Sequence, residues 1–141
     1  MNESFANSGV LYRSSGTTFS TARVAYIFPG GNSKANQLVS IGGRLFFVAT
    51  NGVPNTNNLE LWTSDGVPGS PGAATLSQEI NNSNGSFPEE LTGITLSGVN
   101  YLFFSADDSP GATSGSTSPD RELFIKNVTA NTPAQKVNLK L

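Results

Sequence analysis

One short pattern occurs twice in the chain, and this repetition constrains the fold more than any other feature of the sequence. The segment Leu45-Phe46-Phe47-Val48-Ala49-Thr50 returns as Leu102-Phe103-Phe104-Ser105-Ala106-Asp107. Each copy leads through a polar loop into a second signature, which is Leu59-Glu60-Leu61-Trp62 after the first and Arg121-Glu122-Leu123-Phe124 after the second. Internal repeats of this length indicate copies of one supersecondary unit, which become stable by stacking on each other.

A weaker third copy begins near the start of the chain, where Val10-Leu11-Tyr12-Arg13 takes the position of the second signature. We therefore predict a single all-β repeat domain over residues 9–141, after an N-terminal extension at residues 1–8. Its units span approximately residues 9–58, 59–120 and, as a partial copy, 121–141. About two and a half units cannot close a propeller, which needs ~4–8 blades. We expect the units to belong to a larger repeat protein or to an assembly of chains.

The residues around these signatures alternate in the manner of short antiparallel strands joined by tight turns. Gly42-Gly43 lies between two apolar runs, which is a strong signal for a two-residue hairpin turn. On the next strand Leu45, Phe47 and Ala49 share one face and the residues between them are also apolar, which predicts a central strand covered on both sides. The hairpins should form propeller-like blades, or alternatively a β-sandwich. They pair residues 10–14 with 22–28, 37–41 with 44–50, 59–64 with 74–80, 91–96 with 100–106, and 122–126 with 135–141.

The composition excludes several classes of function. Charged residues make up 13% of the chain, about half the usual share, and the net charge is −2 with no basic block, so nucleic acid is not an expected partner. Histidine and cysteine are absent, which removes the commonest general base, the commonest metal ligand and the thiol nucleophile. Because no apolar run approaches the ~18 residues of a membrane span, we do not expect membrane insertion.

The segment Glu60-Leu61-Trp62-Thr63-Ser64-Asp65-Gly66 resembles the signature of the ELWxxDGT repeat family, and it departs from that signature at Val67, where the family has Thr. The flanking Leu-Phe-Phe strands and the Pro/Gly/Ser loops agree with the family as well. The family comprises bacterial, often cyanobacterial, proteins that are secreted or surface-exposed and propeller-like. The resemblance implies a propeller-like fold and an extracellular or cell-surface location, and it supplies no chemistry for individual residues.

Three groups of residues recur at corresponding positions, and each has a structural interpretation. Trp62, Tyr12 and Phe124 share one position and are expected in the core. Asp65-Gly66 falls where the other copies carry different small polar residues, which predicts a turn. Glu60, with Glu122 at the corresponding position, is expected to bind a loop amide or a neighbouring lysine.

Polar loops recur at one position of each unit, and the face that they form is the expected binding surface. Asp107-Asp108 and Asp120 are a weak calcium candidate, because carboxylates flank a Gly/Ser/Thr loop while the acid spacing of a known calcium loop is missing. No other metal or cofactor is expected. The candidate ligand-binding residues on these loops are Asn32, Asn82, Asn84, Asp108 and Asp120.

These features favour a non-enzymatic structural or adhesive module, with no catalytic residues, in an extracellular or surface assembly such as a filament, lattice or coat. Its partners would be further copies of the chain or the rest of a larger repeat protein, joined through neutral faces and exposed strand edges. The alternative is a carbohydrate-binding module whose loops recognise surface glycans. A hydrolase using Glu89 and Glu90 is least favoured, since adjacent residues of an extended chain point apart. The candidate edge residues are Val10, Tyr12, Val137, Leu139 and Leu141.

Overall fold

A computed structural model describes residues 10–53, 57–110 and 120–138, and every helix or strand assigned within these ranges is a β-strand. The strands form three antiparallel sheets, so the predicted all-β class is confirmed. The first sheet holds β1 (Leu11–Arg13) and β2 (Ala22–Ala25). The second holds, in spatial order, β3 (Asn36–Ile41), β4 (Arg44–Ala49), β5 (Glu60–Ser64) and β6 (Thr75–Gln78). The third holds β10 (Gln135–Lys136), β9 (Arg121–Asn127), β8 (Val99–Asp107) and β7 (Glu89–Leu96).

The predicted hairpins are present, with shorter strands in several places. Ile41 pairs with Arg44 across Gly42-Gly43, and both glycines have positive φ angles, of 60° and 74°. Leu96 pairs with Val99 across Ser97-Gly98, again with two positive φ angles. Two consecutive left-handed residues match the right-handed twist of the flanking strands, which is why these dipeptides close hairpins.

The core lies between the sheets in two layers, one on each side of β4. Phe46 and Val48 pack with residues of the third sheet, including Leu102 and Phe104. Phe47 and Ala49 pack on the other side with residues of the first sheet, such as Val24. The prediction of a central strand covered on both faces is therefore confirmed, and it follows from the continuous apolar run of β4.

The second and third sheets share several local details. Each begins with a β-bulge, and Gln37 and Glu90 in these bulges have positive φ angles of 53° and 58°. The register of β4 on β5 pairs Ala49 with Glu60, and the register of β8 on β9 pairs Ala106 with Glu122. After each pairing the chain makes the same backbone hydrogen bond, from Thr50 N to Ser33 O and from Asp107 N to Ser86 O, both at 2.9 Å. Corresponding residues of the two sheets can therefore be compared one by one.

Tyr12 corrects one of the core predictions. Trp62 and Phe124 are 7% and 5% exposed as expected, whereas Tyr12 is 55% exposed. In the first sheet β1 pairs only with β2 among the described residues, so no neighbouring strand supports the material that would cover Tyr12. The alternation expected along β5 is also wrong, because all five of its residues are buried between the first and third sheets.

The limits of the described ranges affect two predictions. The predicted extension at residues 1–8 lies outside them, and the last predicted strand is shorter than expected, since β10 spans Gln135–Lys136 and residues 139–141 lie outside the description. The three sheets do not close into a ring or barrel within the described ranges. No helix of sufficient length and apolarity to cross a membrane occurs in this part of the chain.

Candidate functional site

The predicted ligand-binding loops are joined in one place. Asn81, at the start of the loop between β6 and β7, donates from Nδ2 to the carbonyl oxygens of Asp107 at 3.3 Å and Ser109 at 2.6 Å. The two loops that carry Asn82, Asn84 and Asp108 are thereby held side by side. The sequence analysis did not place Asn81 in a site, and its full burial beside two exposed asparagines was not visible from composition.

The individual loop residues make local contacts. Asn82, Asn84 and Asp120 are exposed. Asn32 accepts a hydrogen bond from Lys34 N at 2.8 Å, which shapes its own turn. Asp108 forms a 2.7 Å ion pair with Lys136 Nζ, and this contact raises the pKa of Lys136.

The calcium candidate is not supported by an arrangement of ligands in the described residues. Asp107 is fully buried, and its Oδ1 accepts hydrogen bonds from Ser109 N at 2.9 Å and Ser109 Oγ at 2.6 Å. Thr50 caps the corresponding loop in the same way, through its bond from Gly52 N at 3.0 Å. Within residues 10–53, 57–110 and 120–138, no three acidic side chains gather at a point where they could hold an ion. Asp107 therefore acts as a turn residue here.

The most elaborate polar cluster of the molecule surrounds Glu60, which begins β5 and is 1% exposed. Its Oε1 accepts hydrogen bonds from Asn81 N at 3.1 Å and Ser86 N at 2.9 Å. Its Oε2 accepts from Ile80 N at 3.1 Å and from Ser86 Oγ at 2.6 Å. All four donors belong to the connection between β6 and β7, so one side chain fastens this connection to β5. The expectation that Glu60 binds loop amides is confirmed.

The environment of Glu60 also changes its acidity. Burial raises the pKa of its carboxyl group to about 7, because the charged form loses its hydration, and the bonds from Ser86, Ile80 and Asn81 offset part of this effect. A carboxyl group that titrates near neutral pH is suited to acid–base chemistry in an accessible site. Here both oxygens are occupied by the protein's own donors and the group is enclosed, so the cluster is suited to a structural role.

Glu89 and Glu90 do not form a carboxylate pair for hydrolysis. Glu89 lies 3.4 Å from Arg121 Nη2, and Glu90 is exposed within the bulge. The same Arg121 nitrogen donates to Phe87 O at 2.9 Å and to Ser105 Oγ at 2.9 Å. Arg121 therefore connects the start of β7 with β8 and β9, and the sequence gave no sign of this role.

The third sheet carries an apolar surface on the side that faces away from the second sheet. Ile94 pairs with Tyr101, Phe103 with Ile125, and Ser105 with Leu123, which places these residues on one face. Ile94 and Leu123 are each 39% exposed, and Tyr101, Phe103 and Ile125 are half-buried. We refer to Ile94, Tyr101, Phe103, Leu123 and Ile125 as the outer face of the third sheet.

The predicted assembly edge is divided between different surroundings. Val10 is half-buried and precedes β1, and Tyr12 is exposed within β1, whose second edge has no partner strand among the described residues. Val137 donates from its backbone N to Leu123 O at 2.7 Å, which continues the pairing of β10 with β9. Leu139 and Leu141 lie outside the described residues. The free edge with a defined structure is therefore that of β1.

The chain was compared with protein families, curated proteins and solved structures. No family model, curated protein or solved structure matches it. Its function must therefore be argued from the surfaces and contacts described above.

Proposed function

We propose that this chain is a non-enzymatic structural module that builds an extracellular or cell-surface assembly by stacking β-sheets face to face. The observation that carries the proposal is the outer face of the third sheet. It has the residue positions that the second sheet uses to bind the third, and in the described chain nothing covers it.

The comparison of corresponding residues gives this argument its force. Phe46, Val48 and Leu61 on the second sheet are 1%, 2% and 0% exposed because the third sheet packs on them. The corresponding positions on the third sheet are Phe103, Ser105 and Leu123, and the last of these is 39% exposed. An apolar face of this kind stabilises a protein when it is buried, at about 25 cal/mol per Å².

The partner that fits such a face is another β-sheet of the same kind. It would come from a further copy of this chain or from further units of a larger repeat protein, in a propeller-like or open stacked arrangement. The low charge of the chain supports such packing, because neutral faces lose little hydration on contact. The cell-surface location rests on the resemblance to the ELWxxDGT repeats.

The test is the mass of the protein in solution by light scattering after size exclusion, over a range of concentrations. We expect oligomers that Leu123→Glu disrupts, because the charge would be buried in the interface. Val67→Glu is the matched control, since Val67 is 48% exposed on a turn outside the outer face. A wild-type chain that remains a 14.7 kDa monomer at every concentration would contradict self-assembly.

Carbohydrate binding is the second candidate, and the bridge made by Asn81 favours it. Because Asn81 holds two polar loops together, the exposed amides of Asn82 and Asn84 lie on a loop fastened beside Asp108. A glycan array would test this function, with the double variant Asn82→Ala, Asn84→Ala as the loss-of-binding control. An array without signal at high protein concentration would exclude the glycans that it displays.

A further inference from the structure

We propose that the free edge of β1 and the apolar shelf beside it form a docking site for a β-hairpin from a separate chain. The shelf consists of Leu38 and Leu45 on the second sheet. The hairpin would have the sequence pattern of β3–β4 and would add two strands to the first sheet. This inference rests on the proposed structural function and names the kind of partner that it requires.

The first observation is the number of strands. The second and third sheets each have four strands, whereas the first has two. In the second sheet β5 pairs with β6 on one side and with β4 on the other. In the first sheet β1 pairs with β2, with a bulge between Leu11 and Tyr12 where β5 has one between Leu61 and Trp62. The strands that the first sheet lacks are therefore those that correspond to β3 and β4.

The second observation is independent and concerns side-chain burial. Leu38 and Leu91 occupy the same place in the bulges of β3 and β7, yet Leu38 is 53% exposed and Leu91 is 8% exposed. Leu45 and Leu102 open the two Leu-Phe-Phe segments, and Leu45 is half-buried while Leu102 is fully buried. Leu91 and Leu102 belong to the core shared with the second sheet. Leu38 and Leu45 lack a corresponding cover because the first sheet has no strands beside β1.

The structure also indicates what the missing strands look like. The residues that pack against the third sheet from β3 and β4 are Val39, Ile41, Phe46 and Val48. A hairpin with this alternation of apolar residues would cover the shelf in the same way, and its other face would carry small or polar residues. If it pairs with β1 as β4 pairs with β5, the residue corresponding to Phe47 lies opposite Tyr12. The residue corresponding to Val48 then lies opposite Leu11.

The approach of such a hairpin is sterically open. Where β3 contacts β7, Gly93 provides the space, since a β-carbon at this position would lie 2.9 Å from Cβ of Ile41. The position of Gly93 corresponds to Ser40 on the second sheet, which is small and exposed. A small side chain at the point of closest contact allows two inner strands to approach each other.

The experiment uses a synthetic peptide with the sequence of residues 36–50, extended by lysines for solubility, and the full-length protein at concentrations where it is monomeric. We expect saturable binding by fluorescence anisotropy and increased hydrogen-exchange protection of the amides of Leu11–Arg13. Leu38→Glu should weaken binding by at least ~10-fold, because the introduced charge would be buried under the hairpin. Leu96→Glu is the matched control, since Leu96 is 55% exposed at the far tip of β7 and should leave binding unchanged.

Absence of binding, or an equal loss in Leu38→Glu and Leu96→Glu, would overturn the inference. Dimerisation without peptide that Leu38→Glu abolishes would assign the site to a second copy and would also overturn the assignment to a separate hairpin. The outcome is distinguishable from that of the proposed function, because Leu123→Glu tests the outer face of the third sheet and Leu38→Glu tests the first-sheet edge.

Discussion

The buried carboxyl group of Glu60 predicts that the protein loses stability as pH rises through neutrality. The pKa of Glu60 in the folded chain is raised to about 7 by burial, from an ordinary value of 4.5. Between these two pH values the folded state holds a proton that the unfolded state has released. The free energy of unfolding therefore falls as pH rises. The contribution of this group is fully present below pH 4.5 and is lost as pH passes about 7.

The size of the effect follows from the distance between the two pKa values. Each pH unit between them changes the free energy of unfolding by about 1.4 kcal/mol, so the whole interval is worth about 3 kcal/mol. Near the isoelectric point of 4.9 the chain carries little net charge and tends to associate. We therefore restrict the measurement to pH 5.5–8, where the expected loss for wild-type protein is about 2 kcal/mol.

The assay is urea unfolding followed by the fluorescence of Trp62, the one tryptophan of the chain, which is 7% exposed when folded. Glu60→Gln removes the titration but leaves one backbone donor facing an NH₂ group, which costs about 1–3 kcal/mol. We expect the variant to be less stable than wild type at pH 5.5 and to approach or exceed it at pH 8. Glu122→Gln is the control, because Glu122 holds the corresponding position with a side chain that is 45% exposed.

Two results would refute this reasoning. One is a wild-type free energy of unfolding that stays constant or rises between pH 5.5 and 8. The other is a Glu60→Gln variant with the same pH dependence as wild type, since the loss would then come from another group. In either case the four donors around Glu60 would be holding its carboxylate charged in the folded state.

The remaining predictions concern stability and use the same urea assay at constant pH. Gly93→Ala should destabilise the protein by about 1–3 kcal/mol, because the new β-carbon would lie 2.9 Å from a side chain of β3, and an unchanged midpoint would contradict this close approach. Arg121→Met should cost about 2 kcal/mol through the loss of its bonds to backbone oxygens, whereas Glu89→Gln should change stability by less than about 0.5 kcal/mol. Phe47→Ala should cost about 3–5 kcal/mol and Phe103→Ala clearly less, because only the first is fully buried; equal losses would show that the outer face is already covered.

Local sequence patterns predicted the strands well, because their causes are local. The two-residue turns at Gly42-Gly43 and Ser97-Gly98 depend on backbone angles that glycine adopts easily, and both hairpins are present. The apolar run of β4 predicted a strand covered on both faces, and two core layers meet it. The turn at Asp65 was predicted as well, and its side chain accepts hydrogen bonds from Val67 N at 2.8 Å and Ser70 Oγ at 2.6 Å.

The candidate site was predicted less completely, because its parts come from distant segments. The role of Arg121 depends on carbonyl groups of Phe87 and Ser105 that only tertiary pairing brings within reach. Tyr12 was expected in the core on the strength of its position beside Trp62 in the repeat, but burial requires a neighbour and not only a pattern. The glutamate at the start of β5 was expected to meet loop amides, while the number of its donors and its altered pKa required the folded geometry.

The amino-acid sequence by itself determined the strand class, the turns and the alternation of faces, since these depend on the torsional preferences and apolarity of neighbouring residues. The tertiary structure alone decided which apolar faces are covered. Leu38 and Leu91 have the same side chain in the same local setting, and one is 53% exposed while the other is 8% exposed. The physical reason is that burial depends on how many strands the adjacent sheet supplies, and that number is a property of the assembled sheets and not of the local sequence.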